Sequence, residues 1–212
     1  MNICAIIPAY NEEKTIGQII DTLKKVDIIN EIIVVSDGSE DNTAQIAGEH
    51  QATVIELPKN MGKGAAIKAG VEASKGDVLL FLDADLIGLK EMHVKKLLEP
   101  VIRDECDMTI GVFNKGRIST DLAQVLTPHL SGQRAVKRSI IDKIEKIELT
   151  GYGIEIALTK FAKKYNIRVK EIKMDNMTHI TKEEKYGVAE GFVKRLKMYW
   201  QIYKGLRLAR RY

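Results

Sequence analysis

Val78-Leu-Leu-Phe-Leu82 runs directly into Asp83-Ala84-Asp85. A short, uninterrupted apolar run that stops at two acids reads as a strand buried on both faces, with chemistry at its carboxyl end. Working back from it, Ile3-Cys-Ala-Ile-Ile7, ended by Pro8, and Ile32-Ile-Val-Val35, followed by Ser36-Asp37-Gly38-Ser39, read as two earlier strands, and 53–57 as a third. Helical spacings lie between them. Ile16, Ile19, Ile20 and Leu23 share one face. Asn11 is placed to cap that helix, with Glu12 and Glu13 in its first turn. Asp41 or Asn42 is placed to cap a helix over 44–49, and 63–74 forms another. Strands alternating with helices four times over imply βαβ crossovers. The expected fold is α/β, a mostly parallel central sheet with helices on both faces.

In such sheets ligands sit beyond the carboxyl ends of the strands. Polar residues collect there: Tyr10, Asn11 and Glu12 after the first strand, Asp37 after the second, Asp83 and Asp85 after the fourth. The second half is less regular. It reads as a helix over 91–102, a strand over 108–113, a polar stretch over 114–120 and a helix near 121–126. Ser131-Gly-Gln-Arg-Ala135 follows, then a helix over 153–165, a strand near 168–173 and a long helix from about Gly187. No repeat or linker divides the chain, so 1–212 reads as one domain. Its parts are a regular half over 1–115, a less regular stretch over 116–186 and a basic amphipathic helix over 187–212.

The 212 residues are 45% hydrophobic and 29% charged, enough for a core and unlike a disordered chain. Two cysteines, Cys4 and Cys106, exclude a disulfide framework and fit a reducing compartment. No apolar run approaches the ~18 residues of a membrane span. The opening MNICAIIPAY has no basic n-region, so no signal peptide is read and a cytoplasmic protein is expected. Net charge is +4, but residues 191–212 hold seven basic and no acidic residues, which leaves −3 on the rest. Phe192, Leu196, Tyr199, Tyr203 and Leu206 form an apolar stripe opposite those cations. Such a helix docks on a core or lies on anionic lipid, so peripheral contact at the inner membrane face is one expectation. Nucleic acid is not an expected partner, since no recognised binding module is present.

Each chemical motif has a plain alternative. Asp83 and Asp85 repel each other unless a cation sits beside them, and a hard divalent ion takes one or two carboxylates plus substrate phosphates. They also fit a solvated turn or a helix cap. Asn60-Met-Gly-Lys-Gly64 opens a helix, where Gly62 and Gly64 admit a ligand and Lys63 meets phosphate. It also fits an ordinary helix start, and it is not a P-loop. Asp37 can accept from a base or a ribose, or serve a turn. His179 follows an edge-like strand and becomes a metal ligand only in company with the carboxylates. Glu155, among apolar neighbours in Gly151-Tyr-Gly-Ile-Glu-Ile156, suits acid/base or hydroxyl-binding work, or caps a helix.

Together Ile6-Ile-Pro-Ala-Tyr-Asn-Glu-Glu13, Val34-Val-Ser-Asp-Gly-Ser39, Asn60-Met-Gly-Lys-Gly64 and Leu82-Asp-Ala-Asp-Leu86 resemble the family 2 nucleotide-sugar glycosyltransferases of GT-A fold. Ser131-Gly-Gln-Arg-Ala135 and Gly151-Tyr-Gly-Ile-Glu-Ile156 are similar to the polyprenyl-phosphate sugar transferases. Gly116-Arg-Ile-Ser-Thr120, Gly151-Tyr-Gly-Ile-Glu155 and His179 are similar to the glucosyl-3-phosphoglycerate synthases. The resemblance implies a UDP- or GDP-linked sugar donor, a divalent metal (Mg²⁺ or Mn²⁺), and an acceptor that is a lipid phosphate or a small phosphorylated molecule. It makes 1–115 the nucleotide-sugar-binding half and 116–186 the acceptor half. A homodimer is one expected assembly. By the same resemblance Pro8, Ala9, Tyr10, Glu12 and Asp37 would hold the nucleoside, with Lys63 close by. Asp83 and Ala84 would face ribose and diphosphate. Asp85 would bind the metal, with His179 as second ligand. Glu155 would contact donor sugar or acceptor, and Ser131, Gly132 and Arg134 would line the acceptor side. Asp85, Glu155 and Lys63 are the expected catalytic residues. A sugar-phosphate nucleotidyltransferase is the competing class, but it needs a Gly-rich, Arg-containing loop where Pro8-Ala-Tyr-Asn11 stands. A non-catalytic nucleotide binder at a membrane surface is a third class, disfavoured by the intact Asp83 and Asp85.

Overall fold

The computed structural model describes residues 1–113, 131–144 and 154–179. The first four strands, β1 (Ile3–Ala9), β2 (Glu31–Ser36), β3 (Thr53–Glu56) and β4 (Val78–Phe81), alternate with α1 (Ile16–Lys24), α2 (Thr43–Glu49) and α3 (Lys63–Ala73). Then come β5 (Leu86–Ile87), α4 (Glu91–Ile102), β6 (Met108–Phe113), β7 (Arg134–Lys137) and α5 (Arg138–Ile141). The described chain ends with α6 (Ile154–Lys164), β8 (Val169–Met174) and β9 (Thr178–His179).

Seven strands form one sheet in the order β3-β2-β1-β4-β7-β6-β8. β1 is parallel to β2 and β4, β2 to β3, and β6 to β8, whereas β7 is antiparallel to both β4 and β6. The sheet is therefore mostly parallel, as expected. β1 shows why its strands are apolar throughout: Ile3, Ala5, Ile7 and Ala9 pack on one side, Cys4 and Ile6 on the other. The first layer receives Ile16, Ile19, Ile20 and Leu23 of α1 and Val94, Leu97, Leu98 and Val101 of α4. The second receives Ala66, Ile67 and Val71 of α3 with Leu158 and Ala162 of α6. Each such Ile or Leu, fully buried, contributes about 1.5–3 kcal/mol. Cys4 and Cys106 are buried free thiols, and burial pushes Cys4 up to about 12, so it is an inert core residue.

One expectation changes, and two elements were not foreseen. Asn11 does not cap α1. Its backbone is left-handed (φ 55°), the helix starts at Ile16, and the Glu12 carbonyl accepts the N–H groups of Thr15 and Ile16. An intervening turn uses up residues 11–15, so the cap lies four residues further on. The segment after Gln133, not assigned to any element from sequence, is the reversed strand β7. A second sheet, β5 with β9, was also not expected, because two-residue strands leave no periodic signal. The polar stretch 114–120, the helix near 121–126, Gly151, Gly153 and the basic helix from Gly187 lie outside the described residues. No helix among the described residues is long and apolar enough to cross a membrane.

Candidate active site

The parallel register Ala9↔Ser36 sets the ends of β1 and β2 level, so Pro8, Ala9, Tyr10 and Asp37 share one edge. Side chains lace the loops there. The Glu12 N–H donates to Thr43 Oγ1 at 2.7 Å, and the Glu40 N–H to Asn11 Oδ1 at 2.8 Å. Thr15 Oγ1 donates to the Ala84 carbonyl at 2.6 Å, joining the start of α1 to the end of β4. Asp37 is 4% exposed, and its two oxygens accept the N–H groups of Met61 and Gly62 at 2.7 and 2.8 Å. Charge-assisted bonds of this kind are strong, and they fold the loop before α3 back onto β2. Gly38 (φ 68°) leaves room for that fold, since a Cβ there would collide with the Lys59 backbone.

The loop carries Lys63 to the end of β4. Its Nζ donates to Asp83 Oδ1 at 2.5 Å and to Glu155 Oε1 at 2.6 Å. Glu155, in the first turn of α6, is 4% exposed. Burial alone would lower the pKa of Lys63, but the charges of Asp83 and Glu155 outweigh it and raise the value above that of an ordinary lysine. Lys63 is therefore a permanent cation and cannot serve as a base.

β7 completes the cluster. It pairs with β4 at Phe81↔Arg134, and continuing that antiparallel register sets Gly132 opposite Asp83. A Cβ on Gly132 would lie 2.5 Å from Asp83 Oδ1 and 2.6 Å from Lys63 Nζ. Fully buried Gln133 donates from Nε2 to Asp83 Oδ2 at 2.8 Å, while its Oε1 accepts from Ser131 Oγ at 2.7 Å. Arg134 is 1% exposed, and its guanidinium reaches the Ser131 carbonyl (2.9 Å) and Thr159 Oγ1 (3.3 Å). Burial lowers its pKa to about 10, against the opposing pull of Glu155 and Asp83. Arg134 thus lies beneath the site and braces the 131–133 turn against α6.

Asp85 is half-buried two residues beyond Asp83. The next residue, Leu86, pairs antiparallel with His179, so the backbone brings position 179 alongside the acids from 94 residues away. Of the residues expected from sequence, Lys63, Asp83, Gly132 and Glu155 meet directly. Pro8, Ala9, Tyr10, Glu12 and Asp37 line the adjoining edge, and the small sheet brings the backbone of position 179 next to Asp85. Gln133 and Thr159 were missed. Gln133 stood inside the Ser131–Ala135 motif, and an amide two residues before Ala135-Val136 was the available signal. Thr159 is one helical turn after Glu155, whose carbonyl accepts its hydroxyl at 2.8 Å.

The family model for glycosyl transferase family 2 matches residues 4–170. A glucosyl-3-phosphoglycerate synthase of Mycolicibacterium smegmatis is 30% identical over 191 residues, covering 74% of this chain and 62% of that protein. A dolichyl-phosphate beta-glucosyltransferase of Trichomonas vaginalis is 42% identical over 168 residues, covering 73% of this chain and 45% of that protein. The crystal structure of the Mycobacterium tuberculosis glucosyl-3-phosphoglycerate synthase with Mn²⁺, UDP and glucosyl-3-phosphoglycerate superposes with a TM-score of 0.68. That match has 28% identity and covers 84% of this chain and 71% of the other. The chain spans about three-fifths of the synthases' length. With the family model matching most of its length, the chain belongs to glycosyl transferase family 2.

Proposed function

We propose that the protein transfers a sugar, glucose in the first instance, from a UDP- or GDP-linked donor to a phosphate-bearing acceptor with a divalent cation, Mn²⁺ or Mg²⁺. One observation carries the reading: Lys63, Asp83, Gln133 and Glu155 are joined by contacts of 2.5–2.8 Å at the end of β4, with Asp85 two residues further on and the backbone of position 179 paired beside it. The solved relative bound to Mn²⁺ and UDP-glucose supports the donor and the metal.

The donor set fits such a cation. Asp85 offers hard oxygens and His179 a nitrogen that Mn²⁺ accepts. Bound there, the cation would neutralise the charge that develops on the departing diphosphate. Lys63 adds a fixed positive charge to the same region and aligns Asp83 and Glu155. Asp83 faces the ribose and diphosphate, with Ala84 beside it. Pro8, Ala9, Tyr10, Glu12 and Asp37 form the nucleoside edge. Ser131 and Gly132 border the acceptor side, with Arg134 as their brace. A phosphate acceptor has a second pKa near ~6 and is already an anion at pH 7, so it attacks without a strong base. Glu155 then orients the sugar or acceptor, and it becomes the base where a hydroxyl attacks.

Two acceptors carry the phosphate. Polyprenyl phosphate is favoured by the seven cations of residues 191–212, which would hold the protein at the inner membrane face. A small phosphorylated acid is favoured by the likeness to the synthases. The test is turnover of UDP-glucose and a GDP-sugar with Mn²⁺, with each acceptor supplied in turn. Product is expected from one donor–acceptor pair, and Asp85→Ala should abolish the metal-dependent rate while leaving the fold intact. A variant that keeps the wild-type rate would remove Asp85 from the metal site. Failure with every donor would overturn the reading.

A further inference from the structure

β5 and β9 are two residues each, and a ladder so short does not hold itself together. Buried side chains must fix it. Leu86 and Met177 anchor it in the core at 3% and 6% exposure. Gly88 (φ 80°) brings the two backbones close, since a Cβ there would lie 2.5 Å from the Asn176 carbonyl oxygen.

A further link is His93, 2% exposed in the first turn of α4. Its Nδ1 accepts the Lys90 N–H at 3.2 Å. An accepting Nδ1 assigns the ring proton to Nε2. The ring is also hydrogen-bonded to the Asp175 backbone, and since that bond favours the protonated ring its partner is the carbonyl, with Nε2–H the donor left to reach it. Lys90 lies three residues after β5, and Asp175 three before β9. One imidazole therefore clasps both chains at the closed end of the ladder whose other end carries Asp85 and His179. Burial first, then the charges of Lys96 and Lys90, lower the pKa of His93 against the opposing Asp175, which keeps the accepting Nδ1 available.

We propose that His93 is a positioning residue for the cation site: through Lys90 and Asp175 it sets the β5–β9 register that places His179 beside Asp85. The inference rests on the cation reading given above. Neither Asp85 nor His179 needs to touch the ring, because the register is transmitted through backbone. Groups hydrogen-bonded directly to a metal ligand typically change metal affinity about 10–100-fold when lost; His93 acts at a further remove, so a change of up to about tenfold is expected.

Mn²⁺ binding in the presence of UDP, followed by the electron paramagnetic resonance signal of free Mn²⁺, tests it without any turnover. His93→Leu fills the space but makes neither hydrogen bond. It should bind Mn²⁺ up to about tenfold more weakly while still unfolding cooperatively. His93→Gln, whose amide can reach the Asp175 carbonyl, should recover part of the loss. A folded Leu variant with wild-type Mn²⁺ affinity overturns the proposal. If the Leu variant does not fold, His93→Asn carries the test. It keeps an acceptor toward Lys90 and loses the donor toward Asp175, so weaker binding supports the proposal and unchanged binding overturns it. Wild-type protein that takes up no Mn²⁺ overturns the cation reading itself, a result distinct from the variants' behaviour, and the role of His93 falls with it.

Discussion

The backbone of Gly132 passes so close to Asp83 that a methyl group there would lie 2.5 Å from Oδ1, and 2.6 Å from the Lys63 ammonium. Both neighbours are the ends of side chains, so they, and not the sheet, must give way. Gly132→Ala should therefore keep a near wild-type melting temperature and lose about 10–100-fold in kcat/KM, since a displacement near 1 Å at reacting groups has that effect. Steady-state kinetics beside a thermal melt check it. Undiminished kcat/KM would show that the Lys63–Asp83 geometry is not needed.

Asp37 holds the loop before α3 through two N–H groups, on Met61 and Gly62. Asparagine keeps one acceptor and turns an NH₂ toward a donor. Asp37→Asn should cost about 1–3 kcal/mol, the usual penalty of a buried group left unsatisfied. It should also weaken nucleotide binding, because the same loop delivers Lys63. Urea unfolding and UDP calorimetry measure the two effects, and an unchanged unfolding midpoint would contradict the first.

Stability in acid turns on Asp107, on the far side of the sheet. Arg168 donates to it from Nε (3.1 Å) and Nη2 (2.8 Å), and Lys137 Nζ lies 2.7 Å away. The Arg168 hydrogen bonds, then that of Lys137, outweigh the cost of burial and hold its carboxyl well below the usual carboxylate range. A depressed folded pKa contributes stability that is fully present above the unfolded value near ~3.9 and is lost as pH falls below it. Wild-type protein should lose stability from about pH 5 downward more steeply than Asp107→Asn. Urea midpoints at neutral and acid pH measure this, and equal slopes would remove Asp107 as the cause.

How much of this was legible beforehand follows from range. The first four strands and the helices between them could be read because a strand's apolar run and a helix's stripe lie within a few neighbouring residues. Helix 91–102 and strand 108–113 were found at their observed bounds for the same reason. The gathering of Tyr10, Asp37 and Asp83 at one edge also followed, since parallel strands must end together. The cap at Asn11 failed because a turn of left-handed backbone is set by partners such as Ser39 and Glu40, far from it in sequence.

Local patterning along the chain specifies the layered α/β plan and which strand ends carry acids, because both depend on short-range periodicity and on the one-way sense of βαβ crossovers. Tertiary structure alone decided that β7 slips, reversed, between β4 and β6. That insertion sets Gly132 and Gln133 against Asp83, while α6 brings Glu155 to Lys63 across 92 residues of chain. Strand order is a contest among whole packing arrangements, and no stretch of a few residues encodes its outcome.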